Sequence, residues 1–225
     1  MTKHDFLDFL GEFNATVQAC QSECFLCRAK EIQLETCETL TALGQRTSLL
    51  KAKIVDSGRE KEANVLLSCE ALVNAMISEL RMYVAFKEDN ADAAWDLLVD
   101  AEAAVRTALM ASDDTHGLNE YSERLYQLES RLFPKQMFFS IGATVKRTVC
   151  TICGNIYGEC EHVVGRPYMG ELCGRIIEDL TFEEVSLVEE PANKHTRPIS
   201  ITDEHGIARG VLSHRILEMR ATDGG

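Results

Sequence analysis

The sequence predicts a mainly α protein in two domains, a long-helix antiparallel bundle or coiled coil over residues 1–133 and a small α+β domain over residues 134–225. Three observations predict it. No proline occurs before Pro134 and only four glycines do, Gly11, Gly44, Gly58 and Gly117, whereas all four prolines and ten of the fourteen glycines follow. Both residues are poorly tolerated inside helices, so an abrupt change in their use marks a change of architecture. Before that break, apolar residues recur at three- and four-residue steps. After it, short β-branched runs alternate with turn residues.

The first seam runs Phe6, Leu10, Phe13, Val17, Cys20, Cys24 and Cys27. It skips at Glu31 and resumes, shifted, as Cys37, Leu40, Leu43, Thr47, Leu50 and Ile54, so one nearly unbroken helix is expected to about Asp56, ended by Ser57-Gly58. A second helix should start near Arg59 and carry Val65, Cys69, Leu72, Met76, Leu80 and Tyr83. Leu66, Val73, Ile77 and Val84 widen that stripe beyond a two-stranded seam, which implies packing on several sides. Asp89 or Asn90 should cap a third helix bearing Ala94, Leu98, Ala101, Val105 and Leu109, with Trp95 on its flank. A fourth spans about Leu118–Leu132, and Pro134 stops it. The aromatic set Phe6, Phe9 and Phe13 reads as core. Cys20, Cys24 and Cys27 also spell C-x3-C-x2-C, the spacing of cluster ligands in radical-SAM enzymes; residues at i, i+4 and i+7 share a helix face, and core packing explains them more simply. A second metal set from Cys20, Cys24, Cys27 and Cys37 stays open.

Beyond Pro134, strands are expected at 137–141 and 144–149 on either side of Gly142, a short helix at Glu171–Leu180, strands at 185–188 and 199–201, and an amphipathic helix from Gly210 to Met219. The most informative stretch lies among them: Cys150-x-x-Cys153-Gly154, then Cys160-x-His162. Two cysteines separated by two residues can turn both sulfurs to one ion, and Gly154 supplies the positive φ that lets backbone N–H groups approach the thiolates. Cys160 and His162 complete a tetrahedron. Cys150, Cys153, Cys160 and His162 therefore read as a structural Zn2+ site, with Cys173 as an alternative fourth ligand. A turn-rich unit of about ninety residues has a thin core, and structural zinc contributes on the order of 10 kcal/mol to folding in short peptides, so a zinc-stapled α+β domain is expected.

Charge and cysteine usage bound the function. The net charge is −13. Residues 1–133 hold 13 Lys+Arg against 23 Asp+Glu, and the remainder 10 against 13, so neither part carries the basic field needed to neutralise phosphates, and nucleic acid is disfavoured as a partner. The N-terminus lacks the continuous apolar core of a secretory signal and no uninterrupted run of eighteen apolar residues occurs, which predicts a cytoplasmic protein without a membrane span. The nine cysteines then read as reduced thiols. Four ligands in thirteen residues leave no open coordination position for catalysis. If Cys173 were the fourth ligand, His162 would be free to act as a base beside Glu161. His195, His205 and His214 with Ser186, Ser200, Ser213, Asp203 and Glu204 match no hydrolase spacing.

Two resemblances complete the reading. The block Cys150-x-x-Cys153-Gly154, Cys160-x-His162, Gly165-x-x-Tyr168-x-Gly170-x-x-Cys173, Glu184–Val188 and Pro191-Ala192 resembles a module of uncharacterised bacterial and phage proteins. Glu184-Val185-Ser186-Leu187-Val188-Glu189-Glu190-Pro191-Ala192-Asn193 is similar to the last core strand of tailed-phage prohead proteases, which implies a strand followed by a turn and carries over no catalytic residue. The expectation is a non-enzymatic, zinc-stabilised adaptor or structural subunit of a bacterial or phage protein assembly. It would bind partners, or itself, through the helical arm and the zinc domain. The alternative is a phage-maturation-type protease or other hydrolase using His162 or a Ser/His pair.

Overall fold

The computed structural model of the chain describes residues 3–113 and 115–217. Five helices lead and small antiparallel sheets follow. The helices are α1 (Lys3–Gln21), α2 (Lys30–Asp56), α3 (Glu60–Lys87), α4 (Ala91–Ala111) and α5 (His116–Leu132). α3 lies between α2 and α4, and α5 lies against α4. Position in that order follows apolar content. α3 buries residues on every side, among them Leu66, Val73, Met76, Leu80 and Tyr83. Its length and composition alone would suit a membrane-crossing helix. Here both flanks are covered by helices, and a carboxylate, Glu79, is fully buried in its centre.

The expected continuous first helix is two. Residues 22–29 leave helical geometry although they contain neither Gly nor Pro. Side chains take over the freed carbonyls: Gln33 Nε2 donates to Phe25 O at 2.9 Å, Arg28 Nε to Ser22 O at 3.1 Å and Lys87 Nζ to Arg28 O at 2.6 Å. Two of these contacts are local and the third comes from α3, and together they satisfy carbonyls that the apolar pattern does not mark. The remaining boundaries follow local chemistry. Gly58, at φ 69°, makes the turn after α2, and Asn90 Oδ1 accepts from Ala93 N at 3.1 Å to cap α4.

After Pro134, β1 (Phe138–Cys150) runs as one strand through Gly142, where two were expected. It pairs antiparallel with the long β4 (Arg175–Val188), from Phe138 opposite Val188 to Cys150 opposite Arg175. Gly142 is needed for closeness and not for a turn. A Cβ there would stand 2.8 Å from Glu184 Cγ across the ladder, next to the bulge at Glu183. β2 (Pro167–Tyr168) and β3 (Glu171–Leu172) form a hairpin closed by Met169 and Gly170, both at positive φ. The helix expected at Glu171–Leu180 is therefore absent: the glycine turn, Gly174 and the β-branched Ile176-Ile177 commit this stretch to β3 and β4. A single turn of 3-10 helix, Lys194–Thr196, precedes β5 (Ser200–Thr202) and β6 (Ala208–Gly210). The helix expected from Gly210 is also absent through Leu217, since β6 ends at Gly210 and His214 takes a positive φ; residues 218 and 219 lie outside the described residues.

The two parts meet around Trp95, which is 1% exposed. Its ring packs edge-on to Phe133 at 5.1 Å and lies 6.0 Å from Phe138, while its Nε1 donates to Lys194 O at 3.1 Å. Lys194 Nζ bridges Glu102 and Glu129 at 2.8 and 2.5 Å, and Arg197 pairs with Asp92 at 2.5 Å. The segment after β4 is thereby strapped to α4 and α5.

Candidate metal centre

β1 delivers Cys150 to the base of a tight loop. Cys150 N donates to Asn155 O and Gly154 N to Cys150 O, each at 2.9 Å, and Gly154 has φ 70°. This turn aims the Ile152 N–H at Cys150 Sγ, 3.4 Å away. Cys153 leaves the same turn. The chain then makes an isolated bridge between Ile156 and Val149, turns at Gly158 (φ 101°) and brings Cys160 and His162 back toward the first pair. Ligand atoms of Cys150, Cys153, Cys160 and His162 lie within 4.8 Å of one another. They are placed to hold a metal ion.

The surroundings fix the imidazole. Tyr168 presents its ring edge-on to His162 at 4.7 Å, and its hydroxyl accepts from Val163 N at 2.9 Å. His162 Nδ1 is buried and has no hydrogen-bond partner. A neutral imidazole nitrogen left dry and unpaired is costly unless something fills its lone pair, which is the position of a metal-ligating histidine.

Cys173 enters from the link between β3 and β4, its Sγ 3.8 Å from that of Cys150. Cys173 N donates to Arg166 O and Gly165 N to Cys173 O, both at 2.9 Å, so this cysteine is as tightly placed as the other four groups. The two sulfurs are electrostatically unequal. Burial pushes the Cys150 thiol up, but the Cys153 and Ile152 N–H groups and the thiols of Cys173 and Cys153 outweigh it and bring it down to about 6. Burial and the neighbouring Cys150 both push Cys173 up. The Asn155 N–H lowers the Cys153 thiol, but burial and its contacts with Cys150 and Cys160 outweigh it, so Cys153 is raised as well, and in the Cys150–Cys173 contact either sulfur can donate.

Elsewhere the sequence-predicted groups are dispersed. Cys20, Cys24 and Cys37 are buried on the helical seams while Cys27 is exposed, and no second metal-type grouping forms among the described residues. Burial raises the Cys24, Cys37 and Cys69 thiols, Cys69 to about 12, as suits packed, inert sulfur. Ser186 Oγ donates to Glu184, Ser213 Oγ accepts from Arg215 N, His205 stands beside Glu204, and His195 lies between Asp96 and Asp100. Among the described residues, no serine of the expected set hydrogen-bonds a histidine. A cleft of about 680 Å³ between α1, α3 and α4 reaches Arg166 and Pro167 but no member of the Cys/His tetrad.

The buried Glu79 cluster escaped the sequence reading. Tyr83, Tyr121 and both terminal nitrogens of Arg124 donate to this one carboxylate at 2.5–3.0 Å. The signal was available, since Glu79 falls three residues after Met76 and four before Tyr83 on the apolar stripe of α3. Comparison of the chain with models of known protein families, with characterised proteins and with solved structures gave no match.

Proposed function

We propose that the chain is a non-enzymatic structural or adaptor subunit of a protein assembly, in which a zinc ion held by Cys150, Cys153, Cys160 and His162 staples the part beyond Pro134, and partners bind through the helical arm and that part. The observation that carries this reading is the convergence of three sulfurs and an imidazole with a buried, unpartnered Nδ1. Thiolate-rich Cys3His sets suit zinc over harder ions, and four protein ligands close the tetrahedron, leaving no position for a catalytic water. Cys173, its sulfur 3.8 Å from that of Cys150, supplies the kind of second contact that orients a metal site. The acidic charge favours protein partners, and the resemblance of the Cys150–Asn193 block supports a bacterial or phage setting.

The test is metal analysis with ligand substitution. The wild type should contain about one zinc per chain. Cys153→Ser should lose it while retaining the far-ultraviolet helical signal, since the helices own their core. Cobalt(II) in the wild type should show the absorption of a tetrahedral three-thiolate site, unchanged in Cys173→Ser and lost in His162→Ala. Full cobalt binding by His162→Ala with loss in Cys173→Ser would reverse the ligand assignment.

A further inference from the structure

The ribbon formed by β1 and β4 turns its apolar side outward. From Phe138 to Val145, β1 alternates without interruption, and the register sets Phe139 opposite Leu187, Ile141 opposite Val185, Ala143 opposite Phe182 and Val145 opposite Leu180. All eight share one face of the pleat. The seven large ones are between 46% and 68% exposed. The opposite face begins with Phe138 and Val188 on the helical core and continues with Ser140 and Ser186, Gly142 and Glu184, and Thr144 and Thr181. An exposed two-stranded ribbon is marginal in water by itself, and a contiguous uncharged apolar ladder on one is the signature of a surface covered by something else.

The geometry points to a second copy of this chain as the cover, two ribbons stacking their apolar faces about a two-fold axis. Three features choose that occupant. First, the ladder carries no charge and is alike on both strands, so it is complementary to itself, as an isologous contact requires. Second, about half the surface of seven large side chains is on the order of 600 Å² per copy, approaching the roughly 800 Å² per partner of a standard interface. Third, the rims differ in sign. Lys146 and Arg147 lie on β1 at the level of Glu178 and Asp179 on β4, and Arg147 already pairs with Glu178 at 2.7 Å. A two-fold axis parallel to the strands lays β1 of one copy over β4 of the other and sets opposite charges along both rims. The acidic rim of β4 would be repelled by an anionic lipid surface. This inference rests on the assembly-subunit reading but places self-association on the ribbon and not on the helices.

Sedimentation velocity over a dilution series tests it, on wild type, Phe182→Glu and the strand-compatible pair Ile141→Thr with Val185→Thr, with zinc content and helical signal measured on each sample. The wild type should be a dimer that dissociates on dilution. Both variants should keep their zinc and helix and dimerise more weakly by roughly a hundredfold, the scale of a disrupted, desolvated interface centre. If Phe182→Glu loses its zinc, the threonine pair decides. A wild type that stays monomeric at every concentration overturns the inference, as do variants that dimerise as tightly as wild type. A zinc-loaded monomer bound to a different protein would sink the second-copy inference and leave the assembly-subunit reading standing.

Discussion

Glu79 shows how much rests on single residues in this molecule. Four donors converge on a carboxylate with no solvent exposure, and Arg124, whose side chain is 39% exposed, is the only cation among them. Burial, with the charge of Glu79 behind it, holds the phenols of Tyr83 and Tyr121 well above their ordinary range, so both remain hydrogen-bond donors. Glu79→Ala should therefore cost about 3 kcal/mol, the low end for breaking a buried pair, because Arg124 can still reach water. Chemical denaturation should show that loss, and Glu79→Gln, which keeps an acceptor for the two phenols, should lose less than Glu79→Ala. A single-mutant cost under about 0.5 kcal/mol, the scale of an ordinary surface change, would mean the network does not hold α3 to α5. The cluster was missed although Glu79 lies on the apolar stripe of α3, because a binary apolar pattern assigns a lone Glu to the surface. The tetrad was legible because few environments bring Cys and His together at such short spacings. His162 over Cys173 was not, since sequence gives both the same reach; only the fold groups His162 with the three cysteines and leaves its Nδ1 buried without a partner.

Among the elements, the β2–β3 hairpin is what fixes the metal loop to the helices. Gly170 N donates to Asn64 Oδ1 at 2.8 Å, Lys51 Nζ donates to Gly170 O at 3.2 Å, and Asn64 Nδ2 reaches Pro167 O at 3.4 Å. Gly170 sits at φ 78°, and a Cβ there would lie 3.0 Å from Lys51 Cδ and 3.3 Å from Ala63 O. Asn64→Ala should thus leave a backbone N–H without its partner at a cost of about 1–2 kcal/mol, and Gly170→Ala should add backbone strain of similar size. Hydrogen exchange should report it as faster exchange at Gly170 and Tyr168, with α3 unchanged. Unaltered exchange in both variants would show that the hairpin does not depend on this dock. Helices α3 and α4 could be read from periodicity because their stripes are long, and α5 from the loop before it and Pro134 after it. The break between α1 and α2 could not, because it rests on side-chain contacts of Arg28, Gln33 and Lys87 that the apolar pattern does not mark. The stretch 171–180 misled for the opposite reason: its apolar residues suit either period over a few positions, and only pairing with β1 over the whole ribbon decides for strand.

At the scale of the whole molecule, the change of composition at Pro134 marks a change in how the chain is held together. Up to Leu132 the helices bury their own stripes, with Leu40, Leu66, Leu80, Leu98 and Leu125 entirely inside. Beyond it, β4 is almost wholly exposed, and the buried side chains are few: Phe138, Val149, Cys150, Cys173 and Arg197 among them. Two of those five are cysteines at the metal centre. The strap around Trp95 holds this part to the helices, and on the proposals above an ion and a second ribbon add to it.

Extended X-ray absorption at the zinc edge tests the metal most directly. The account predicts about one zinc per chain with three sulfurs near 2.3 Å and one nitrogen near 2.0–2.1 Å. Protein that is folded through residues 150–174 without any metal, or a zinc with an oxygen in its first shell, would contradict it.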